Sequence, residues 1–450
     1  MDINVFKGKL FAQGRAAGFS DMELYSSVNK STQIRVFKGE VDNFTLSEEG
    51  GFSFRGVYNG KLGYAFTEVL DQEAIEMLVR DALENAQVVD DEDEVIIFGG
   101  SQSYPEFSAY SEGLANLEAV QLIQLAKDLE AKAYAADSRV KAVNYCMVAA
   151  GEGKTQISNT KELNLEQEGN MAYCYVSVVV AEGEDTKTFA RFSSQRSLDN
   201  FDTAEIAGAA VREATGLLGA EAIESGTYPV ILRWEAATTL LHTFSGIFSA
   251  ENVQKNLSLL KGKLGEQIAS ELITIVDDAL HPDGLYSTPF DAEGVATSTK
   301  TVVEKGVLKT FLHNLKTANK DGVQSTGNAV KNSYKDSVTV APTNMFIQPG
   351  SKSLADLVAG IDKGLVVIDL QGAHSGANPV SGDFSLGAFG YLVEGGKIIR
   401  PVNQITVAGN FFELLQDITG VGSDMHFGLP GGSQLGSPSL LISKLSVAGK

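Results

Sequence analysis

Phe52-Ser53-Phe54-Arg55-Gly56-Val57-Tyr58-Asn59-Gly60-Lys61-Leu62-Gly63-Tyr64-Ala65-Phe66-Thr67 sets two alternating runs on either side of Asn59-Gly60. An Asn-Gly pair so placed is the strongest short signal for a β-hairpin, because both central turn positions take positive φ. Working outward, Met22 to Val28 and Thr32 to Phe37 also alternate and read as two strands. A helical pattern from Val5 to Ala17 precedes them and stops at Gly18, a C-terminal cap. After the hairpin, Ile75, Leu78, Val79, Ala82, Leu83 and Ala86 recur at helical spacing. The unit is therefore helix, strands, helix.

The same theme follows once more. A run of acids from Asp90 to Glu94 and a polar stretch to Ser111 read as a solvated linker over residues 90–111. Leu117, Val120, Ile123, Leu125 and Leu129 fit a helix running to Ala136. Strands are expected at Val140 to Ala149, Thr155 to Asn159, Met171 to Ala181 and Thr186 to Phe192. Asp202 and Glu205 form an acidic variant of the capping box and open a closing helix. From Gly226 the texture changes. After one helical region, Ala236 to Leu264, the chain becomes short apolar runs broken by glycine. They are Gly294 to Glu304, Gly306 to His313, Leu365 to Leu370, Phe389 to Val393, Lys397 to Val402 and Leu440 to Val447. Glu394-Gly395-Gly396 joins two of them as a hairpin. Frequent turns between short strands predict a barrel-like or sandwich β domain. The expected class is α+β, with an α/β domain of helices on a mostly antiparallel sheet over 1–221 and a β-rich domain over 222–450.

Composition narrows the function. The 450 residues carry 36 basic and 57 acidic side chains, a net charge of −21. Such a surface repels phosphate backbones and anionic lipid, so neither nucleic acid nor membrane is an expected partner. No run approaches the ~18 apolar residues of a membrane span, and Met1-Asp2-Ile3-Asn4 lacks the basic start of a signal peptide. Cys146 and Cys174 form no CxxC pair and sit in apolar, strand-like sequence, which predicts buried free thiols. The chain reads as a cytoplasmic protein.

Familiar catalytic signatures are missing: no GxSxG elbow, no GxxxxGK[ST] loop and no GxGxxG after a strand. Ser381, Gly382 and Asp383, with His374 nearby, are too local in sequence to predict a triad, and a tight turn explains them. None of the histidines pair at metal-binding spacing. His242 lies on an expected helix, but a helical zinc site needs a carboxylate base beside it and a second imidazole about a turn away. Thr243 and Ile247 offer neither.

The chain resembles the TldD/PmbA family, in its PmbA (TldE) branch. The resemblance spans nearly the whole chain and is densest from residue 225 onward. It rests on Lys261-Gly262-Lys263-Leu264-Gly265-Glu266 and Pro289-Phe290-Asp291-Ala292-Glu293-Gly294-Val295. Ser325-Thr326-Gly327-Asn328-Ala329, Ser381-Gly382-Asp383-Phe384-Ser385 and Ile405-Thr406-Val407-Ala408-Gly409-Asn410 follow in family order. The TldD branch is similar to a zinc peptidase carrying HExxxH on a helix and a cysteine ligand near its C-terminus. Residues five apart lie roughly 140° apart on an ideal helix, so that helix must distort to bring both rings to one ion. On this sequence the motif falls at His242, Thr243 and Ile247, and the cysteine would fall between Gly422 and Gly428, where none occurs.

The resemblance thus implies a chain that binds no cofactor itself and pairs with a zinc-bearing TldD-like catalytic subunit, or with its own copy. Unfolded peptides would be held in the enclosed cleft by strand addition, which reads backbone with little side-chain preference. Phe290, Asp291, Glu293, Gly294, His374, Ser381, Gly382 and Asp383 are the family-motif positions expected near that cleft. Two alternatives remain at this stage. One is a self-contained homodimeric peptidase using His242 and His426. The other is a non-peptidase regulator of the gyrase-modulator type.

Overall fold

The computed structural model describes residues 1–89 and 95–450. The acidic run Asp90 to Glu94, read above as a solvated loop, lies outside the described residues. The helix Ile3–Ala16 begins at Asp2, whose carboxylate accepts from the Asn4 and Val5 N–H groups, satisfying donors that a helix start leaves open. Six strands follow in two sets of three: β1 (Met22–Phe37), β2 (Glu40–Tyr58) and β3 (Lys61–Thr67), then β4 (Val140–Asn159), β5 (Asn164–Glu182) and β6 (Asp185–Gln195). They form one antiparallel sheet in the order β3-β2-β1-β4-β5-β6. Each set is a meander flanked by helices, so the two units meet at β1 and β4. Asn59 and Gly60 both take positive φ in the β2–β3 turn.

The two runs expected over 22–37 are one strand, as are those expected over 140–159. Polar residues such as Asn29, Lys30 and Ser31 break the apolar alternation, yet Lys30 pairs with Glu48 on one side and Glu152 on the other. Ladders on both edges carry the strand through. Even-numbered residues such as Leu24, Ile34, Phe54, Val148, Cys174 and Val176 are buried beneath the helices Ile3–Ala16, Gln72–Val88, Ala119–Ala136 and Thr203–Gly216. Both cysteines are buried and free. Burial pushes each thiol up to about 12, so neither supplies a thiolate at neutral pH.

The C-terminal half is built on a closed barrel. Strands Lys397–Asn410, Asp383–Glu394, Lys363–Gln371, Gly226–Leu232 and Leu440–Ala448 pair in that order. Thr406 to Ala408 then pair with Ala448 to Ser446 and close the ring, leaving those strands no open edge. A second sheet of short strands packs beside it, and the helix Trp234–Phe244 lies between them, its Ala237, Leu240, Leu241 and Phe244 buried in the largest core. The helical region expected over 236–264 is shorter. After Phe244 come a 3₁₀ turn, Ser245–Phe248, a short helix, Ala250–Gln254, and then turns. Positive φ at Asn256, Gly262 and Gly265 ends the helix there. The strands expected from Gly294 and Gly306 shrink to Thr299–Glu304 and Val307–Leu308. The Asp291 side chain accepts from the Glu293 and Val295 N–H groups, a local turn that competes with a ladder.

Odd-numbered residues form the other face of the N-terminal sheet, and that face is polar: Glu23, Tyr25, Ser27, Asn29, Ser53 and Arg55. Antiparallel sheets commonly leave such a face to solvent. Here the C-terminal half covers it. Arg55 Nε donates to Glu23 Oε1 at 2.8 Å and Nη1 to Glu293 Oε1 at 3.4 Å, with all three side chains buried. Glu293 Oε2 also accepts from the Leu315 N–H at 2.8 Å. Burial opposes the Arg55 charge, but Glu23 and Glu293 outweigh it and raise the Arg55 pKa. Residues 95–111, expected as a linker, pack instead as a strap over this junction. Ile97 is buried, and the Tyr104 hydroxyl donates to the Gly294 carbonyl at 2.8 Å while its ring meets Phe290 edge-on.

Two substitutions test the junction. Arg55→Met leaves two carboxylates buried without their cation and should cost about 3–5 kcal/mol, read from urea unfolding midpoints. Gly51 lies so close to the Tyr334 ring that a Cβ would stand 2.3 Å from it. Gly51→Val should therefore lose ~1–3 kcal/mol by overpacking. Unchanged midpoints in both variants would mean that the two halves are held together elsewhere.

Candidate functional site

The helix Trp234–Phe244 carries the degenerate motif. Its apolar residues face the core, which leaves His242 exposed on the opposite side. There the imidazole packs on Gly431, where a Cβ would come within 2.9 Å of Nε2. The Thr243 hydroxyl donates to the Thr239 carbonyl at 2.7 Å, one turn back. Ile247 falls in the 3₁₀ turn that succeeds the helix and is 1% exposed, inside the core with Phe244 and Phe248. The helix thus tightens just where an HExxxH spacing demands distortion, and at this position the backbone directs a hydrocarbon inward.

His426 packs at the other end of this helix. Its ring lies against Trp234, the centroids 4.9 Å apart and the planes tilted by 43°, near the start of the helix and eight residues before His242, roughly 12 Å of axial rise. His426 thus lies by the first residue of the helix and His242 in its last turn. In the segment where a cysteine ligand would fall, the Asp424 carboxylate accepts from the Ser439 N–H and hydroxyl at 3.0 and 2.6 Å. Among the described residues, no three His, Cys, Asp or Glu side chains gather in a way that could hold a metal ion. At the motif position His242 is the one side chain of a zinc-ligating type, Thr243 and Ile247 supplying none.

The second group of expected positions is a turn. Ser381 Oγ donates to Asp383 at 2.8 Å, and Asn410 Nδ2 donates to the other Asp383 oxygen and to the Ser381 carbonyl, both at 2.9 Å. Asn410, and then Ser381, hold the Asp383 carboxyl below its usual range. Gly382 has φ +85° and sits beneath Phe412, whose ring a Cβ would meet at 2.5 Å. His374 is exposed on the short turn Ala373–Gly376 and takes no part in these bonds. These four residues splice two barrel strands and do not line the cavity described next.

Phe290 and Asp291 do line it, and Glu293 and Gly294 pack in the junction beside them. The cavity, about 540 Å³, lies between β1, β4 and β5 and the C-terminal loops, and is bounded by Tyr25, Asn29, Gln167, Phe290, Lys331 and Gly432 among others. Asp291 is buried with every oxygen occupied: Oδ1 accepts from Glu293 and Val295, and Oδ2 from the Ala329 N–H. Burial, reinforced by Glu293, raises its pKa. Its role is to shape the loop. Arg196 donates to the carbonyls of Ala109, Asn170 and Gly284 and so fastens the cavity's outer wall. Lys331, Tyr25, Tyr64 and Arg55 were not singled out by sequence reasoning. The available signal was Glu23 and Arg55, charges set within otherwise apolar alternating strands.

Comparison with known proteins gives a consistent picture. Models of the PmbA/TldA metallopeptidase match residues 22–86 (domain 1), residues 112–218 (central domain) and residues 225–449 (C-terminal domain). The chain is 32% identical over 415 residues to an uncharacterised protein of Methanocaldococcus jannaschii, covering 91% of this chain and 93% of that one. It is 28% identical over 436 residues to the metalloprotease PmbA of Escherichia coli O157:H7, covering 94% and 92%. Among solved structures, a putative modulator of a DNA gyrase from Thermotoga maritima aligns with a TM-score of 0.91 at 36% identity, covering 99% of this chain and 100% of that one. TldE from Thermococcus kodakarensis aligns at 0.90 and 26%, with the same coverage. The chain belongs to the PmbA/TldD metallopeptidase family.

Proposed function

We propose that this chain is the non-catalytic subunit of a cytoplasmic TldD/TldE-type zinc metallopeptidase complex that processes small unfolded peptides, and that it completes the peptide-binding cleft. One observation carries the reading: at the motif position the helix presents Thr243, whose hydroxyl is spent on Thr239, and Ile247, which lies in the core. A hydroxyl cannot replace the carboxylate base, and an isoleucine cannot ligate a metal. Metalloprotease TldD homologues exist among the relatives, one from Buchnera aphidicola being 30% identical over 254 residues. A chain of that kind is the natural source of zinc in the complex. The placement of His426 by the start of the helix and of His242 in its last turn weighs against a self-contained homodimeric peptidase.

The test is co-expression with a TldD-type chain that carries HExxxH. The expected product is a stable heterodimer with about one zinc per pair and with peptidase activity. His242→Ala in this chain should leave zinc content and hydrolysis within about twofold of the parent pair. One zinc per chain in this protein purified alone, lost on His242→Ala, would overturn the proposal. So would failure of the pair to associate.

A further inference from the structure

In the junction cavity a part-buried lysine, Lys331, has neutral partners among the described residues. Lys331 follows the two-residue strand Ala329–Val330 and reaches across the junction to the N-terminal sheet. Its ammonium donates to Ser53 Oγ at 2.7 Å and to the Tyr64 hydroxyl at 3.2 Å. It also lies over the rings of Tyr25 and Tyr64, at 4.5 and 5.0 Å from their centroids. An ammonium has three donors, so one remains. Among the described residues no carboxylate forms an ion pair with it, although the chain has 57 acidic side chains. Buried charges are ordinarily paired, because an unpaired one carries its full desolvation cost.

The groups facing it explain its state. Burial, and next the Arg55 charge, push Lys331 down to about 7; Glu23 and Asp336 act in the opposite direction. Tyr25 and Tyr64 are themselves raised by burial and stay neutral across the physiological range. Of the other charges that line the cavity, Arg196 is bonded to backbone carbonyls and Asp291 to backbone N–H groups, Lys30 lies 3.8 Å from Glu48, and Glu152 is exposed. Lys331 is the part-buried ammonium there that keeps a free donor. A single ammonium beside a hydroxyl and a phenol matches a monoanion, whereas a phosphate dianion calls for several cations or a guanidinium fork.

We propose that Lys331 anchors a carboxylate of a peptide held in the junction cavity. The volume, about 540 Å³, falls within the ~300–1,000 Å³ typical of ligand sites. The cavity also runs to Gly432, whose neighbour Gly431 supports His242. A peptide anchored at Lys331 therefore extends toward the helix that bears zinc ligands in the TldD branch. That the ligand is a peptide rests on the function proposed above; that it is a carboxylate rests on the cavity itself.

The probes are tetraalanine as the free acid, tetraalanine amide, and an N-acetylated, amidated Ala-Glu-Ala-Ala, each titrated calorimetrically into the full chain. Binding of the free acid at least tenfold tighter than the amide assigns the C-terminal carboxylate. The same preference for the glutamate peptide assigns a side-chain carboxylate instead. Either result supports the site. A bound carboxylate favours the ammonium and raises its pKa, so binding near pH 7.5 should take up protons, seen as a dependence of the heat on buffer ionisation enthalpy. Affinity should fall as pH rises above about 7. Lys331→Met should abolish both the preference and the proton uptake. Should that variant not fold, protection of Lys331 from amine acylation by the bound free acid, mapped by mass spectrometry on the parent chain, gives the same information. No preference for either carboxylate-bearing peptide over the amide, no proton uptake, or no binding by any probe would overturn the proposal. A heterodimer that still hydrolyses peptides would then show that only the anchor had failed.

Discussion

A sheet has two faces, and the polar second face of the N-terminal sheet is the constraint on which the rest depends. Its first face is covered by helices through ordinary apolar burial. Its second carries Glu23 and Arg55 in register on β1 and β2, and these are buried only because Glu293 of the C-terminal half joins them. Buried ion pairs contribute modestly to net stability, since desolvation consumes much of the Coulomb gain. What they supply is direction: any other docking of the two halves would strand at least one charge. The motif Phe290 to Gly294 is held by that requirement, and the cavity follows from the parts of the interface that the two surfaces leave unfilled.

The helix at the HExxxH position illustrates how packing and chemistry make separate demands on one element. The helix Trp234–Phe244 is retained because its apolar face belongs to the largest core. The positions a metal would need lie at its end and on its outer side, where the core makes different demands. Ile247 serves packing and Thr243 caps a carbonyl within its own helix. Family membership therefore assigns the architecture, while the residues present decide whether the site can act. In this chain the architecture includes a cavity between the two halves, and its lining includes a part-buried lysine that no carboxylate among the described residues neutralises.

Much of the secondary structure was legible. The β2–β3 hairpin follows from Asn59-Gly60, the doubled helix–strands–helix plan from periodicity, and the buried thiols from their apolar surroundings. The site was less so. Ser381 and Asp383 read correctly as a turn, because Asx and Ser side chains bond locally. Residues 95–111 read as a solvated linker from their polarity, yet Tyr104 and Ile97 bind them to the junction. Lys331 gave no signal, because a lysine beside a glycine- and asparagine-rich segment looks like any exposed lysine.

The sequence by itself determined what is local: the strand and helix periods, the turns that demand positive φ, and the residues His242, Thr243 and Ile247 at the HExxxH position. These depend on side-chain chemistry and on backbone geometry within a few residues. Only the tertiary structure decided which face of the sheet would be covered, that strands from 226 to 448 would close as a barrel, and that Lys331 would meet Ser53 and Tyr64 across more than 260 positions of chain. The physical reason is that burial belongs to a place and not to a residue. A lysine is ordinary in water and becomes a candidate anchor only when the fold removes the water and supplies no counter-charge.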